Sequence, residues 1–167
     1  MILLDFTWQE WQDEECHEDE LALVRLCHPD RDERDETWWH THPTIFFWKD
    51  KQPVGYTSFV CGPGVMWGYD LGVHPDYRRQ GLATALLAQR TLLGAGQGCH
   101  LFLGMTQPSN IAMRTIFKRA ACEEGEWIQE HYQDVMPHVD GIPVVGGEEH
   151  LEWAKAQKPW RERHVLL

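Results

Sequence analysis

The sequence has no long apolar run. No stretch approaches the ~18 consecutive apolar residues that a membrane-spanning helix needs, so a membrane role is not expected. The opening MILLDFTWQEW carries no Lys or Arg and turns acidic at once, so no signal peptide is read there. Positive charge is scarce as well. Fifteen Lys and Arg stand against 26 Asp and Glu, a formal net charge of -11. A surface this acidic is a poor general partner for nucleic-acid phosphates, which call for clustered Lys and Arg. It attracts cationic substrates, or it serves solubility alone. Cysteines are few and odd in number: five, at 16, 27, 61, 99 and 122, without paired spacing. Reduced thiols in a cytoplasmic protein are the simplest reading. Internal repeats and low-complexity tracts are missing too.

What is present fits a folded domain. Hydrophobic residues make up 43% of 167 positions, enough for a real core, and nine tryptophans argue against disorder. The chain reads as one domain over 1–167, with a core over about 1–130 and a C-terminal extension over about 131–167. Ten histidines invite a metal reading, with Cys16-His17 and Cys27-His28 as the obvious pairs. On one helix those pairs stand ~16 Å apart, far beyond a shared zinc. No metal is therefore expected.

Patterning gives the elements. Residues 2–7 (ILLDFT) read as a strand. A helix follows, with Leu23, Leu26 and Cys27 on one face, and stops near Pro29. The segment DRDERDETWWHTH reads as a second short helix. TIFFWK and VGYTSFVC form a hairpin around DKQP, and VMWGYDLGV is the next strand. Leu82, Leu86 and Leu93 recur at helical spacing up to Gly94 and Gly96. HLFLGM is a short buried strand. Ser109 or Asn110 caps another helix, striped by Met113, Ile116, Phe117 and Ala120. EGEWIQEHYQDV reads as a strand, or as two around a bend. GIPVVGG reads as loop and EEHLEWAKAQ as helix. The order predicts an α+β fold with a mixed sheet between helices.

The stretch YDLGVHPDYRRQGLATALL packs a strand, a basic glycine turn and a helix start into residues 69–87. A helix N-terminus offers unpaired amides and partial positive charge. Gly81 lets backbone approach a ligand closely, and Arg78 and Arg79 add planar cations. Ala83 is too small to obstruct. Together these make a cradle for phosphate oxygens.

LGVHPDYRRQGLATALL resembles the acyl-CoA signature of the GNAT superfamily of N-acyltransferases: a strand ending Leu-x-Val-x-Pro, then Arg/Gln-x-x-Gly-x-Gly/Ala at a helix start. Leu71, Val73, Pro75, Arg78, Gly81 and Ala83 fall on it in register. NIAMRTIFKRAACEEGEW resembles the family's second hallmark, a helix opened by Asn and followed by a strand. The resemblance implies a GNAT-like sheet whose strands splay at the acyl-CoA site. It implies that Arg78, Arg79, Gly81, Leu82, Ala83 and Thr84 hold the CoA pyrophosphate. Val73 would pair with the pantetheine arm, unpaired Leu71 or Val73 amides would polarise the acetyl carbonyl, and Asn110 and Phe117 would line the cofactor site.

The implied reaction is direct attack by a primary amine of a small molecule or peptide on acetyl-CoA, with an acid or water handling protons. Asp70 is the preferred catalytic candidate, with Tyr69 the alternative. Strand alternation implies that only one of the two faces the thioester. Phe117 departs from the family pattern, which often carries a tyrosine there to protonate the sulfur. The rival reading, prompted by that departure, is a non-catalytic acyl-CoA-binding sensor or assembly module. His40 and His42 are read as lining the acceptor pocket or joining an aromatic cluster with Trp38 and Trp39. Trp127, Tyr132, Trp153 and Trp160 supply a lid or a homodimer contact.

Overall fold

The computed structural model describes residues 5–9, 18–29, 42–131 and 141–157. Seven strands form one sheet: β1 (Asp5–Gln9), β2 (Thr44–Lys49), β3 (Gln52–Cys61), β4 (Val65–Val73), β5 (Leu101–Thr106), β6 (Cys122–Glu124) and β7 (Ile142–Gly146). Five helices accompany them: α1 (Glu18–Cys27), α2 (Leu82–Gly96), α3 (Ile111–Arg119), α4 (Glu126–His131) and α5 (Glu148–Ala156). The strand order is β1-β2-β3-β4-β5-β7-β6. Only the β4–β5 pair is parallel; every other neighbour is antiparallel. This is the predicted mixed sheet.

Short turns build the first half. Asp50 (φ 51°) and Lys51 (φ 66°) both take left-handed backbone and close the β2–β3 hairpin tightly. Alternation along the strands then sorts the two faces. Ile45, Phe47, Phe59 and Met66 meet Leu82 and Leu86 of α2. Phe46 and Tyr56, on the opposite face, meet Leu23 and Val24 of α1. Trp67 and Leu103 bury Ile128 of α4 on that second face. On the first face, α3 and α5 join α2 through Leu87, Phe117, Val144 and Trp153.

Four expectations change. Residues 124–135 were expected as strand; β6 ends at Glu124 and α4 follows with Ile128 buried, residues 132–135 lying outside the described part. GIPVVGG was expected as loop; it is β7, seated between β5 and β6 with Pro143 and Val144 buried. Leu26 is exposed at 46%, and α1 buries Leu23 and Val24 instead. The first strand extends to Gln9, past the expected end at residue 7, and residues 2–4 lie outside the described part. The second short helix, with His40, Trp38 and Trp39, and also Cys16, His17, Tyr132 and Trp160, lie outside the described residues.

The arrangement that positions a site is a fork. Strands β4 and β5 pair only at Val65–Leu101, Met66–Phe102 and Trp67–Leu103. Beyond that, β4 continues along β3 to Val73, while β5 continues along β7 to Thr106. The next residue on each arm is a glycine, Gly68 and Gly104. A bulge lies at the divergence: Phe59 faces Gly68 and Ser58 faces Asp70, leaving Tyr69 as the extra residue.

Candidate functional site

The fork opens into a cavity of about 420 Å³. Its walls are Gly68 to Leu71 of β4, Met105 to Gln107 at the end of β5, Asn110, Met113 and Phe117 from the α3 side, and His28 and Arg90. The cavity therefore gathers Tyr69, Asp70, Leu71, Asn110 and Phe117 from the sequence candidates.

Asp70 is held firmly. Its Oδ2 accepts from Tyr56 Oη at 2.8 Å, and its Oδ1 accepts from the Leu71 amide at 2.9 Å. His28 Nε2 lies 3.2 Å from Oδ1. The carboxylate thus sits on the α1 face of the sheet, beside an imidazole and a phenol. The Leu71 amide is consequently engaged by Asp70 rather than open, contrary to the expectation for an acetyl-polarising donor. Tyr69 corrects a second expectation. As the bulge residue it escapes strict alternation, so Tyr69 and Asp70 both line the cavity. Tyr69 is 46% exposed and packs on His42 (ring centroids 4.4 Å) and Trp67 (6.1 Å). That places His42 at the cavity rim, in an aromatic cluster.

The predicted cradle lies past the end of β4. A 3₁₀ turn, Pro75–Tyr77, leads through Arg78 to Gln80 into α2. Arg79 (φ 63°) and Gly81 (φ 85°) take left-handed backbone. Such reversals curl successive amides into a concave nest. The first bond closing α2 runs from the Ala85 amide to the Gly81 carbonyl, so the amides of Leu82, Ala83 and Thr84 have no earlier helical carbonyl to reach. A side chain built on Gly81 would meet no atom within 4 Å. The space above the loop is open, as a phosphate cradle requires. Arg78 folds back: its Nε donates to the Val73 carbonyl at 3.1 Å. Asn110 caps α3 by accepting from the Met113 amide at 3.1 Å and also reaches the cavity wall.

Two partly buried thiols, Cys27 and Cys122, offer no nucleophile. Burial pushes Cys27 up to about 11, offset partly by Arg78, and burial pushes Cys122 up to about 12. Both stay protonated at neutral pH.

Three site residues were not singled out from the sequence: Tyr56, His28 as an Asp70 neighbour, and Arg90. Arg90 is 4% exposed on α2. A Cβ on Gly68 would lie 2.4 Å from its Cζ, so the guanidinium occupies the room a side chain would take at the fork's base. Its only sequence signal was a lone cation within a mostly apolar helix; that Gly68 stands opposite it appears only in the fold.

Known proteins of similar shape support this architecture. The chain matches a Bacillus subtilis acetyltransferase in complex with CoA at 14% identity and TM-score 0.65, covering 86% of this chain and 98% of that one. It matches a diaminobutyrate acetyltransferase from Paenibacillus lautus, in complex with its substrate and coenzyme A, at 19% identity and TM-score 0.62, covering 89% and 97%. The ribosomal-protein-S18-alanine N-acetyltransferase from Escherichia coli matches at 14% identity and TM-score 0.59, covering 84% and 90%. At these identities the likeness is one of fold. A comparison with curated protein sequences finds no match. Among the described residues no helix is long and apolar enough to cross a membrane. In sequence, the family model for the acetyltransferase (GNAT) family matches residues 6–121, the stretch that contains the fork, the cradle and α3, and the chain belongs to that family.

Proposed function

We propose that this acetyltransferase moves the acetyl group of acetyl-CoA onto the primary amine of a small molecule or peptide by direct attack. The observation that carries the reading is the fork itself. Among the described residues, strand β4 is unpaired on one side from Gly68 onward, and the nest at Arg79–Gly81 stands at the far end of the same strand. A pantetheine arm running along Leu71 and Val73 would join the two. Its diphosphate would rest on the amides of Leu82, Ala83 and Thr84, with Arg78 and Arg79 adding charge. The thioester would then lie near Tyr69 and Asp70, with Asn110 and Phe117 across the slot.

The acceptor side is the α1 face, where Asp70, His28 and Tyr56 converge. A carboxylate there binds an incoming ammonium and passes its proton to water, leaving the neutral amine that attacks. Tyr69 and His42 form an aromatic wall for the acceptor. Direct attack is favoured because Cys27, close enough to Asp70 to feel its charge, is held protonated by burial.

The test is release of thiol from acetyl-CoA across a panel of small amines and amine-bearing peptides. Amine-dependent release with an N-acetylated product is the expected result. Tight CoA binding with no release on any amine would favour the acyl-CoA-binding module instead.

A further inference from the structure

The base of the fork holds a cation that the scheme above leaves idle. Among the described residues, the one hydrogen bond of Arg90 runs from Nη1 to Thr57 Oγ1 at 3.1 Å. Its Nε is buried with no partner. Thr57 Oγ1 in turn donates to the Asp70 carbonyl at 2.7 Å, which fixes the group against β4. The charged and titratable groups facing it are Asp70 of β4, Cys122 of β6 and His150 of α5. Asp70 is spent on Tyr56 and the Leu71 amide, Cys122 stays protonated, and burial drives His150 down to about 4, so it is neutral. Among the described residues no carboxylate hydrogen-bonds the guanidinium. An unpaired buried cation is costly to keep, and it calls for an anion supplied by a ligand.

On the acetyl-CoA reading, the reaction creates such an anion in the cavity that Arg90 lines. Two donors that could meet it are missing: Phe117 has no hydroxyl, and the Leu71 amide is engaged. We propose that Arg90 is the electrophilic group of the transfer, taking the negative charge of the cleaving thioester and holding the coenzyme A product as a thiolate. This rests on the acetyl-CoA reading of the fork. The amine nitrogen bonds to the carbonyl carbon and the carbonyl π pair moves to oxygen. That pair returns to re-form the carbonyl as the carbon–sulfur bond breaks, and the sulfur departs with the carbon–sulfur bonding pair. The amine's proton leaves by water on the Asp70 side, and the sulfur needs none. Burial lowers Arg90 to about 10, which still leaves it charged at neutral pH.

The test is calorimetric titration of the protein with coenzyme A, and separately with acetyl-CoA, as a function of pH. A free thiol titrates near ~8.5. With the thiolate held by Arg90, the bound thiol titrates at least one unit lower, so CoA affinity rises about tenfold or more between the bound and free values. Acetyl-CoA, which has no thiol, shows no such rise. In Arg90→Met the rise disappears, and Arg90→Lys keeps part of it. Gly68→Ala, which drives a methyl into the guanidinium, reproduces the loss. A rise that persists in folded Arg90→Met overturns the proposal, as do matching profiles for CoA and acetyl-CoA in the unaltered protein. Should Arg90→Met fail to fold, the CoA and acetyl-CoA comparison and Gly68→Ala still decide. Absence of CoA binding at every pH defeats the acetyl-CoA reading itself.

Discussion

Asp70 spans two roles through its two oxygens. One takes the Tyr56 hydroxyl and the other takes its own strand's next amide, with His28 alongside. Asp70→Asn keeps the size and most of the hydrogen bonding but loses the charge. We expect kcat to fall by about 10²–10⁴, the range for a positioned acid or base. CoA affinity by calorimetry should stay within about twofold. Retained kcat with a lowered melting temperature would instead mark Asp70 as a strand-shaping acid. Phe117 carries a different expectation. Its ring lines the slot from α3, with its tip 3.7 Å from where a Gly104 side chain would begin. Phe117→Tyr should leave CoA affinity nearly unchanged; a large loss would contradict the placement of α3 along the slot.

Among the elements, β4, α2 and α3 were readable because their signals are local. A Leu-x-Val-x-Pro strand end, a glycine before an apolar helix and an Asn cap each act within a few residues. Asn110→Ala should cost about 1 kcal/mol through loss of the bond to the Met113 amide, read as a shift in thermal midpoint. Strand β7 was not readable. Its two flanking glycines and Pro143 look like turn chemistry, yet the chain pairs Ile142–Gly146 with β5. Pro143 is tolerated because β6 pairing begins only at Val144, so that position has strand pairing on one side alone. Helix α4 is too short for a periodic pattern to declare itself. The Tyr69 bulge and the Arg90–Gly68 contact are tertiary facts: each needs two strands or a strand and a helix in register, and no local pattern encodes them. Helix α5 supplies a measurable consequence. His150 Nδ1 donates to the Ala120 carbonyl at 2.7 Å, its Nε2 meets Thr91 Oγ1 at 2.9 Å, and its ring stacks on Trp153. Burial lowers its folded value to about 4 from an ordinary 6.5. The unfolded chain therefore binds a proton more readily, and stability is lost as pH falls from about 6.5 towards 4, by at most ~3 kcal/mol. Denaturant titrations of the unaltered protein and His150→Gln across that window should differ in slope; equal slopes would show that His150 does not set it.

At the scale of the whole molecule, acidity and function pull on the two substrates differently. A net charge of -11 draws a cationic acceptor towards the Asp70 face, while the anionic CoA must be met by the local nest and its arginines. The KM for a cationic amine should therefore rise as salt is raised from low to about 0.5 M, where screening is short-ranged, and the KM for acetyl-CoA should not follow it. Identical salt responses would mean that the overall charge has no part in acceptor capture. The expectations for Asp70, Phe117 and the salt response share one premise, that the cradle and the fork serve one extended ligand. The most direct measurement is calorimetric titration of coenzyme A into the unaltered protein and into Gly81→Val, whose β-branched side chain opposes a φ of 85° and fills the open space above the loop. The account predicts saturable binding in the first and at least a tenfold loss in a folded second. No binding at millimolar coenzyme A, or the same affinity in both proteins, would contradict it.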